Sequence, residues 1–288
     1  MPLDPAYLGA LDLAEVTQTW SWRDAAIYAL GLGYGDDPTD KGQLVFLDAG
    51  QGIQAMPAMV NVLCYDGAWL RDPATGIDYL KVVHGEQEME LFAPLPPEGT
   101  LTGRTVIEEI VDKGAGKGAL LVTARELYDG ATHVATVRHT VFCRGAGGFG
   151  GAPDAKRAAA EVPDRAPDGV VKIETPRQLA LVYRLSGDLN PLHSDPDVAR
   201  RAGFERPILH GLSTFGIACR ALMAELAGNE PARVKRLGAR FSAPVFPGDT
   251  IAFHFWRTGE GTAAFVARVE ARGADVLKNG VFTYEARP

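Results

Sequence analysis

Residues 207–256 read PILHGLSTFGIACRALMAELAGNEPARVKRLGARFSAPVFPGDTIAFHFW. Leu212, Phe215, Cys219, Leu222 and Leu226 recur at spacings of three and four, which predicts a helix over 212–227 with a broad apolar face. Arg220 and Glu225 fall off that stripe. Further on, Thr250–Trp256 alternates as a half-buried strand does. Gly259-Glu260-Gly261 then turns the chain into Ala263–Ala271, and Gly273 turns it into Val276–Tyr284. A nearly all-apolar helix followed by an antiparallel meander buries itself best when the sheet wraps around it. The expected class is α+β.

Working outward, the same words occur earlier in the chain. Ala243–Ile251 reads APVFPGDTI, and Ala93–Leu101 reads APLPPEGTL, 150 positions before it. Tyr183-Arg184-Leu185 has a counterpart in Tyr28-Ala29-Leu30, offset by 155. Short words at nearly one offset predict a duplicated unit. The earlier copy repeats the meander as Thr100–Val111, Ala119–Tyr128 and His133–Phe142. At the place of the long helix it has only Gln54–Leu63, interrupted by Pro57, so that helix is expected to be short or kinked. Between the copies, Arg144–Asp168 is rich in Gly, Ala, Pro and charge and reads as a linker, with a helical turn expected in its alanine-rich middle. The expected organisation is an N-terminal unit over 1–145, a linker over 146–168 and a C-terminal unit over 169–288.

Composition narrows the function classes. The chain has 288 residues and a net charge of −7, which disfavours nucleic acid as the main partner. The most apolar stretch, Ile208–Gly228, is broken by His210, Arg220 and Glu225, so no membrane span is expected. Cys64, Cys143 and Cys219 are far apart and lack CxxC spacing, which fits a reducing compartment. The start, MPLDPAYLGALDLAEV, has no basic region of the secretory kind, and a cytoplasmic location is expected.

The chemistry gathers in YRLSGDLNPLH at 183–193 and PILHGL at 207–212. Asp188 and His193 are five apart. Pro191 biases Asn190 away from helical angles, so a turn is expected to aim both side chains at one small volume. Asp and His are the usual acid–base types. No Ser or Cys nearby has the context of a covalent nucleophile. Gly211 sits where a loop enters the buried helix, whose first N–H groups point outward with the positive end of the dipole behind them. A residue without Cβ there lets a ligand oxygen approach the backbone and be held as it gains charge. Such a set suits proton chemistry beside a carbonyl. Asp188, His193 and Asp195 lack metal-ligand spacing, so no metal is expected, and His210 reads as a loop or packing histidine.

On these two words the sequence resembles the MaoC-like hydratases, and more closely the hydratase 2 module of peroxisomal multifunctional enzyme type 2. Supporting words are AAIYALGLG (25–33), VHGEQEMEL (83–91), VDKGAG (111–116), the GAGGFGG of the linker and ARFSAPVFPG (239–248). The resemblance implies a double hot-dog fold, two curved antiparallel sheets each around a central helix. It implies one catalytic loop, in the C-terminal copy, with the N-terminal copy accommodating a bulky acyl chain. The positions five and ten after Tyr28 are Gly33 and Pro38, which agrees.

The implied reaction, an enoyl-CoA hydratase 2 activity of the kind used in fatty acid β-oxidation, is reversible hydration of a trans-2-enoyl-CoA to the (3R)-3-hydroxyacyl-CoA. Asp188 and His193 would be catalytic, and Gly211 N–H would be the oxyanion donor. His84, Gly85, Lys113, Leu189, Asn190, Pro191, Leu192 and Phe241 would contact the substrate, with Lys113 as a partner for a CoA phosphate. Glu86 would support the site between the copies. No cofactor is implied. The expected partners are the acyl-CoA substrate and a second copy in a homodimer. Alternatives are a hydratase or dehydratase on a branched, steroid side-chain or dicarboxylic thioester, a hot-dog thioesterase, or a non-catalytic acyl-CoA-binding protein.

Overall fold

Each meander strand expected from alternation forms, with ends shifted by at most three residues. The computed structural model describes residues 3–150 and 161–286. Its first half runs α1 (Pro5–Gly9), β1 (Val16–Trp20), α2 (Trp22–Leu30), α3 (Lys41–Leu44), β2 (Val82–Leu91), β3 (Gly99–Asp112), β4 (Ala119–Asp129) and β5 (Thr132–Cys143). The second runs β6 (Gly169–Glu174), α4 (Leu179–Tyr183), α5 (Pro196–Arg201), α6 (Gly211–Leu226), β7 (Val234–Phe241), β8 (Thr250–Gly259), β9 (Thr262–Val269) and β10 (Ala274–Tyr284).

The strand order is β1-β3-β4-β5-β2-β7-β10-β9-β8-β6. Counted inward from either edge, each half supplies its first, third, fourth, fifth and second strand, so the repeated words reflect a repeated topology. All neighbours are antiparallel, and the two five-stranded sheets join edge to edge where β2 pairs with β7. That seam runs from Glu86 opposite Arg240 to Glu90 opposite Arg236, and Arg236 holds Glu88 across it at 2.6 Å.

Helix α6 is the core of the second half. Phe215, Ile217, Cys219, Leu222 and Met223 are fully covered and share one hydrophobic cluster with Phe253, Phe265 and Phe282 of the surrounding strands. Off the apolar stripe, Arg220 faces the first half. It donates to Leu32 O at 3.1 Å and to Asp36 at 3.0 Å, and lies 4.5 Å over the Tyr34 ring. The equivalent place in the first half holds only the 3₁₀ turn Pro57–Asn61, as Pro57 led one to expect. The words that revealed the repeat meet in space, since the Tyr28 and Tyr183 ring centroids are 5.8 Å apart.

Both ends of the linker are anchored. Asp112 accepts from Gly114, Gly148 and Gly150 N–H, while Asp168 accepts from Arg257 N–H and pairs with Arg165. The alanine-rich middle, with its expected helical turn, lies outside the described residues. Cys64, Cys143 and Cys219 are buried free thiols.

Candidate active site

The loop between α4 and α5 is built by its own polar side chains. Asp188 Oδ1 accepts from Asn190 N–H at 3.0 Å, and Asn190 Oδ1 accepts from Leu192 N–H at 3.0 Å. Pro191 opens the 3₁₀ turn Pro191–His193, and Asn190 takes an extended ψ of 123° before it. These local bonds carry His193 to a buried position while Asp188, Leu189 and Asn190 stay exposed. Asp195 is a helix cap, accepting from Asp197 and Val198 N–H at the start of α5.

The His193 ring is fixed by Nδ1, 2.9 Å from Ile208 O. A carbonyl only accepts, so Nδ1 carries the hydrogen and Nε2 keeps a lone pair. Burial pushes the His193 pKa below its usual 6.5, with the Ile208 bond and the Asp188 charge opposing. His193 is therefore a neutral base near pH 7.

The His210 ring stacks on His193, with centroids 3.8 Å apart and 25° between planes. Its Nε2–H donates to Asp188 O at 3.1 Å. Burial, then the neighbouring His193, pushes His210 down to about 4. The histidine expected to be a loop or packing residue is buried and packs on His193. The structure makes it the wall of the site, holding one member's backbone and the other's ring. Its place directly before Gly211 at the helix entrance was the available signal.

Acceptor atoms of Asp188, His193 and His210 lie within 4.8 Å of one another. Stacked rings keep their lone pairs in two near-parallel planes, whereas metal coordination needs lone pairs converging on a point about 2 Å from each nitrogen. The cluster suits proton transfer better than chelation.

Gly211 is the first residue of α6, and the preceding His210 side chain does not cap it. The N-terminal N–H groups thus take no cap from that side chain, and they begin one residue beyond His210 of the cluster. A Cβ at Gly211 would lie 3.2 Å from Phe241 Cε1, so glycine lets that ring pack against the helix start. His84 of the first half also packs on Phe241, with ring centroids 4.4 Å apart. Gly85 is the extra residue of a β-bulge between β2 and β5, and the bulge re-aims His84. His84 Nε2–H donates to Gln87 Oε1 at 3.0 Å, and Gln87 donates to buried Asn61 at 2.7 Å. Burial pushes His84 down to about 4.

The structure thus brings Asp188, His193, Gly211, Phe241, His84 and Gly85 to one place between the halves. Asp188 faces the first half, where its charge acts on His84 and Tyr65. Glu86 stands opposite Arg240 on the seam. Lys113 lies apart on the β3–β4 turn, its N–H on Gly118 O at 3.1 Å. That turn is at the same sheet end as the start of β2, because Asp112, Ala119, Cys143 and Val82 lie in register across four strands.

Comparison with known proteins adds the relationship. Residues 158–277 match the MaoC like domain, and residues 19–145 match the MFE-2 hydratase 2 N-terminal domain. The chain is 41% identical to 3-hydroxyacyl-thioester dehydratase Y of Mycobacterium tuberculosis, covering 99% of this chain and 100% of that one. It is 36% identical to the peroxisomal enoyl-CoA hydratase 2 of Arabidopsis thaliana, covering 92% and 90%. The crystal structure of a MaoC-like dehydratase from Phytophthora capsici superposes with a TM-score of 0.87 at 36% identity, over 99% of this chain and all of that one. Identity at this level along both halves, on the same double hot-dog framework, means that the chain belongs to the MaoC-like enzymes of the enoyl-CoA hydratase 2 type.

Proposed function

We propose that this enzyme catalyses reversible hydration of trans-2-enoyl-CoA to (3R)-3-hydroxyacyl-CoA, with Asp188 and His193 as its catalytic pair. The observation that carries this reading is the meeting of an exposed carboxylate and a neutral buried imidazole within 4.8 Å, beside His210, the residue from which α6 starts without a side-chain cap. Asp188 and His193 Nε2 hold the reacting water between them. One water O–H bond breaks toward this pair as the oxygen bonds to C3. The C2–C3 π electrons move to C2 and the thioester carbonyl, where Gly211 N–H meets the developing negative charge. The pair then returns a proton to C2, and the carbonyl re-forms. Electrons and protons balance without an oxidant or a covalent intermediate.

In this reading the C-terminal unit (169–288) is catalytic, and the N-terminal unit (1–145) accommodates the acyl group across the 146–168 linker. His84, Gly85, Phe241 and the loop residues Leu189, Asn190, Pro191 and Leu192 line the substrate, and Lys113 meets a CoA phosphate. Glu86 supports the seam. Buried free thiols fit the cytoplasm, a place in fatty acid β-oxidation follows from the reaction, and a homodimer is the expected assembly.

The test follows loss of enoyl absorbance with crotonyl-CoA and trans-2-decenoyl-CoA, and reads product chirality with a stereospecific dehydrogenase. Turnover to the 3R alcohol is expected. Thiol release in place of alkene loss would replace this reading with a thioesterase, and binding without turnover would replace it with an acyl-CoA-binding protein.

A further inference from the structure

The first half lacks the long helix that fills the second, and the sheet face left beneath the short 3₁₀ turn sets polar residues beside the apolar Leu121 and Val141. Thr123, Arg125 and His139 share that face of β4 and β5, with Thr123 directly opposite His139. With Tyr65, Asp66 and Trp69 they line a recess of about 320 Å³, counting the part open to solvent. In the second half the ground around α6 is built from phenylalanines instead.

Arg125 is the unusual member. It is 4% exposed, yet no carboxylate is paired with it among the described residues. Its guanidinium donates to Asn61 O at 2.8 Å and Val60 O at 3.3 Å, and sits 5.2 Å over the Tyr65 ring. Carbonyls leave the positive charge unneutralised, and Arg125 Nε has no partner among the described residues. Burial pushes its pKa down to about 10, which still leaves it charged. His139 Nε2 is also buried without a partner among the described residues. A buried donor left unmatched carries a desolvation penalty that an incoming oxygen relieves. Asp66, on the exposed rim, already accepts from Ala68 N–H at 2.8 Å.

The recess adjoins the active site. The His139 ring meets His84 edge-on at 4.1 Å, and His84 meets Phe241, the ring that packs against Gly211. Tyr65, on the recess wall, feels the Asp188 charge. An acyl chain leaving the catalytic pair past His84 therefore runs into this polar ground.

We propose that this recess is a distal acyl subsite that takes a substituent ending in an acceptor oxygen, a carboxylate or a carbonyl, on Arg125 and His139. The proposal rests on acyl-CoA being the substrate, and it adds a class of acyl group. An apolar chain end would leave Arg125 Nε–H as it is, whereas an oxygen satisfies it, and satisfies His139 too in the tautomer that carries Nε2–H. Thr123 lies beside His139, whose carbonyl its hydroxyl approaches at 3.4 Å.

The experiment measures binding, so that it does not depend on turnover. Calorimetry would compare saturated acyl-CoAs of six, eight, ten and twelve carbons with the same chains ending in a carboxylate or in a terminal methyl ketone. At one length the oxygen-bearing chain is expected to bind about ten- to a hundredfold more tightly than the plain chain. Preference for the carboxylate alone would assign charge pairing, and preference shared by the ketone would assign hydrogen bonding; both support the subsite. Arg125→Met removes the donor, and His139→Phe is a second variant in case loss of the carbonyl bonds disturbs the 3₁₀ turn. Each should bring the ratio toward one. A ratio near one at every length in the unaltered enzyme, or a ratio unmoved by both variants, overturns the proposal. If crotonyl-CoA is not hydrated while the ratio persists, the hydratase reading fails and the subsite stands.

Discussion

His193 is held in one tautomer by a single backbone carbonyl, and that bond decides what the side chain can do. With Nδ1–H on Ile208 O, Nε2 is a base only while the ring is neutral, and burial keeps it neutral to below pH 6.5. The acid limb of kcat/KM should therefore have its midpoint under 6.5, because lower pH protonates the base. His193→Ala and Asp188→Asn should each reduce kcat by about 10²–10⁴-fold, the usual worth of a positioned acid or base. Circular dichroism should stay unchanged, since Asp188 is exposed and Asn190 independently caps the turn. Near-normal kcat in either variant would remove that residue from the mechanism. The pair itself was legible, because Asn190-Pro191 dictates a turn from local chemistry alone. The stacking of His210 was not. It depends on a loop seventeen residues further on returning to His193, and only the fold decides that.

Among the elements, α6 shows how a helix start can serve chemistry without a side-chain cap. His210 occupies the cap position with φ −58° and ψ 137°, an extended geometry that a following proline tolerates. Proline also suits the first helical position, where its missing N–H takes no intrahelical bond. Gly211→Pro should therefore fold while deleting the one donor assigned to the thioester oxygen. A loss of about 10²–10³ in kcat is expected. Gly211→Ala is the steric control, since its Cβ also meets Phe241 but its N–H remains. It should lose clearly less than the proline variant, and equal losses would show that crowding of Phe241 is the cause. Alternation and threefold–fourfold spacing revealed this helix and six strands in advance. Strands β1 and β6 went unread because each is a short edge strand of five or six residues, and β2 and β7 because Glu86, Glu88 and Glu90 on one and Lys235, Arg236 and Arg240 on the other mask the apolar pattern.

At the scale of the whole molecule, the repeated words predicted two related halves, yet the seam between them was invisible. Pairing of β2 with β7 joins residues some 150 apart, and no local pattern encodes a partner. The seam gathers four histidines, His84 and His139 from one half and His193 and His210 from the other. Burial is the largest cause of a lowered pKa in every one of them, and two are pushed down to about 4. An unfolded chain protonates these rings near 6.5, while the folded one does not until the pH is much lower. The unfolded state thus binds more protons across that interval, and stability must fall as pH falls. His84 and His210 together should remove roughly 3 kcal/mol per pH unit between about 6 and 4. The carboxylates lowered by hydrogen bonds, such as Asp168 at about 2, add to the loss only below about pH 5, where their unfolded forms begin to protonate, so a comparison that stops at pH 5.0 reads mainly the histidines. Urea unfolding midpoints at pH 7.5 and 5.0 would measure the difference, with a markedly lower midpoint expected at 5.0. His84→Gln should lessen the slope by its own share. A midpoint independent of pH over this interval would mean that the four rings are hydrated in the native protein, and that the seam is wetter than their burial implies.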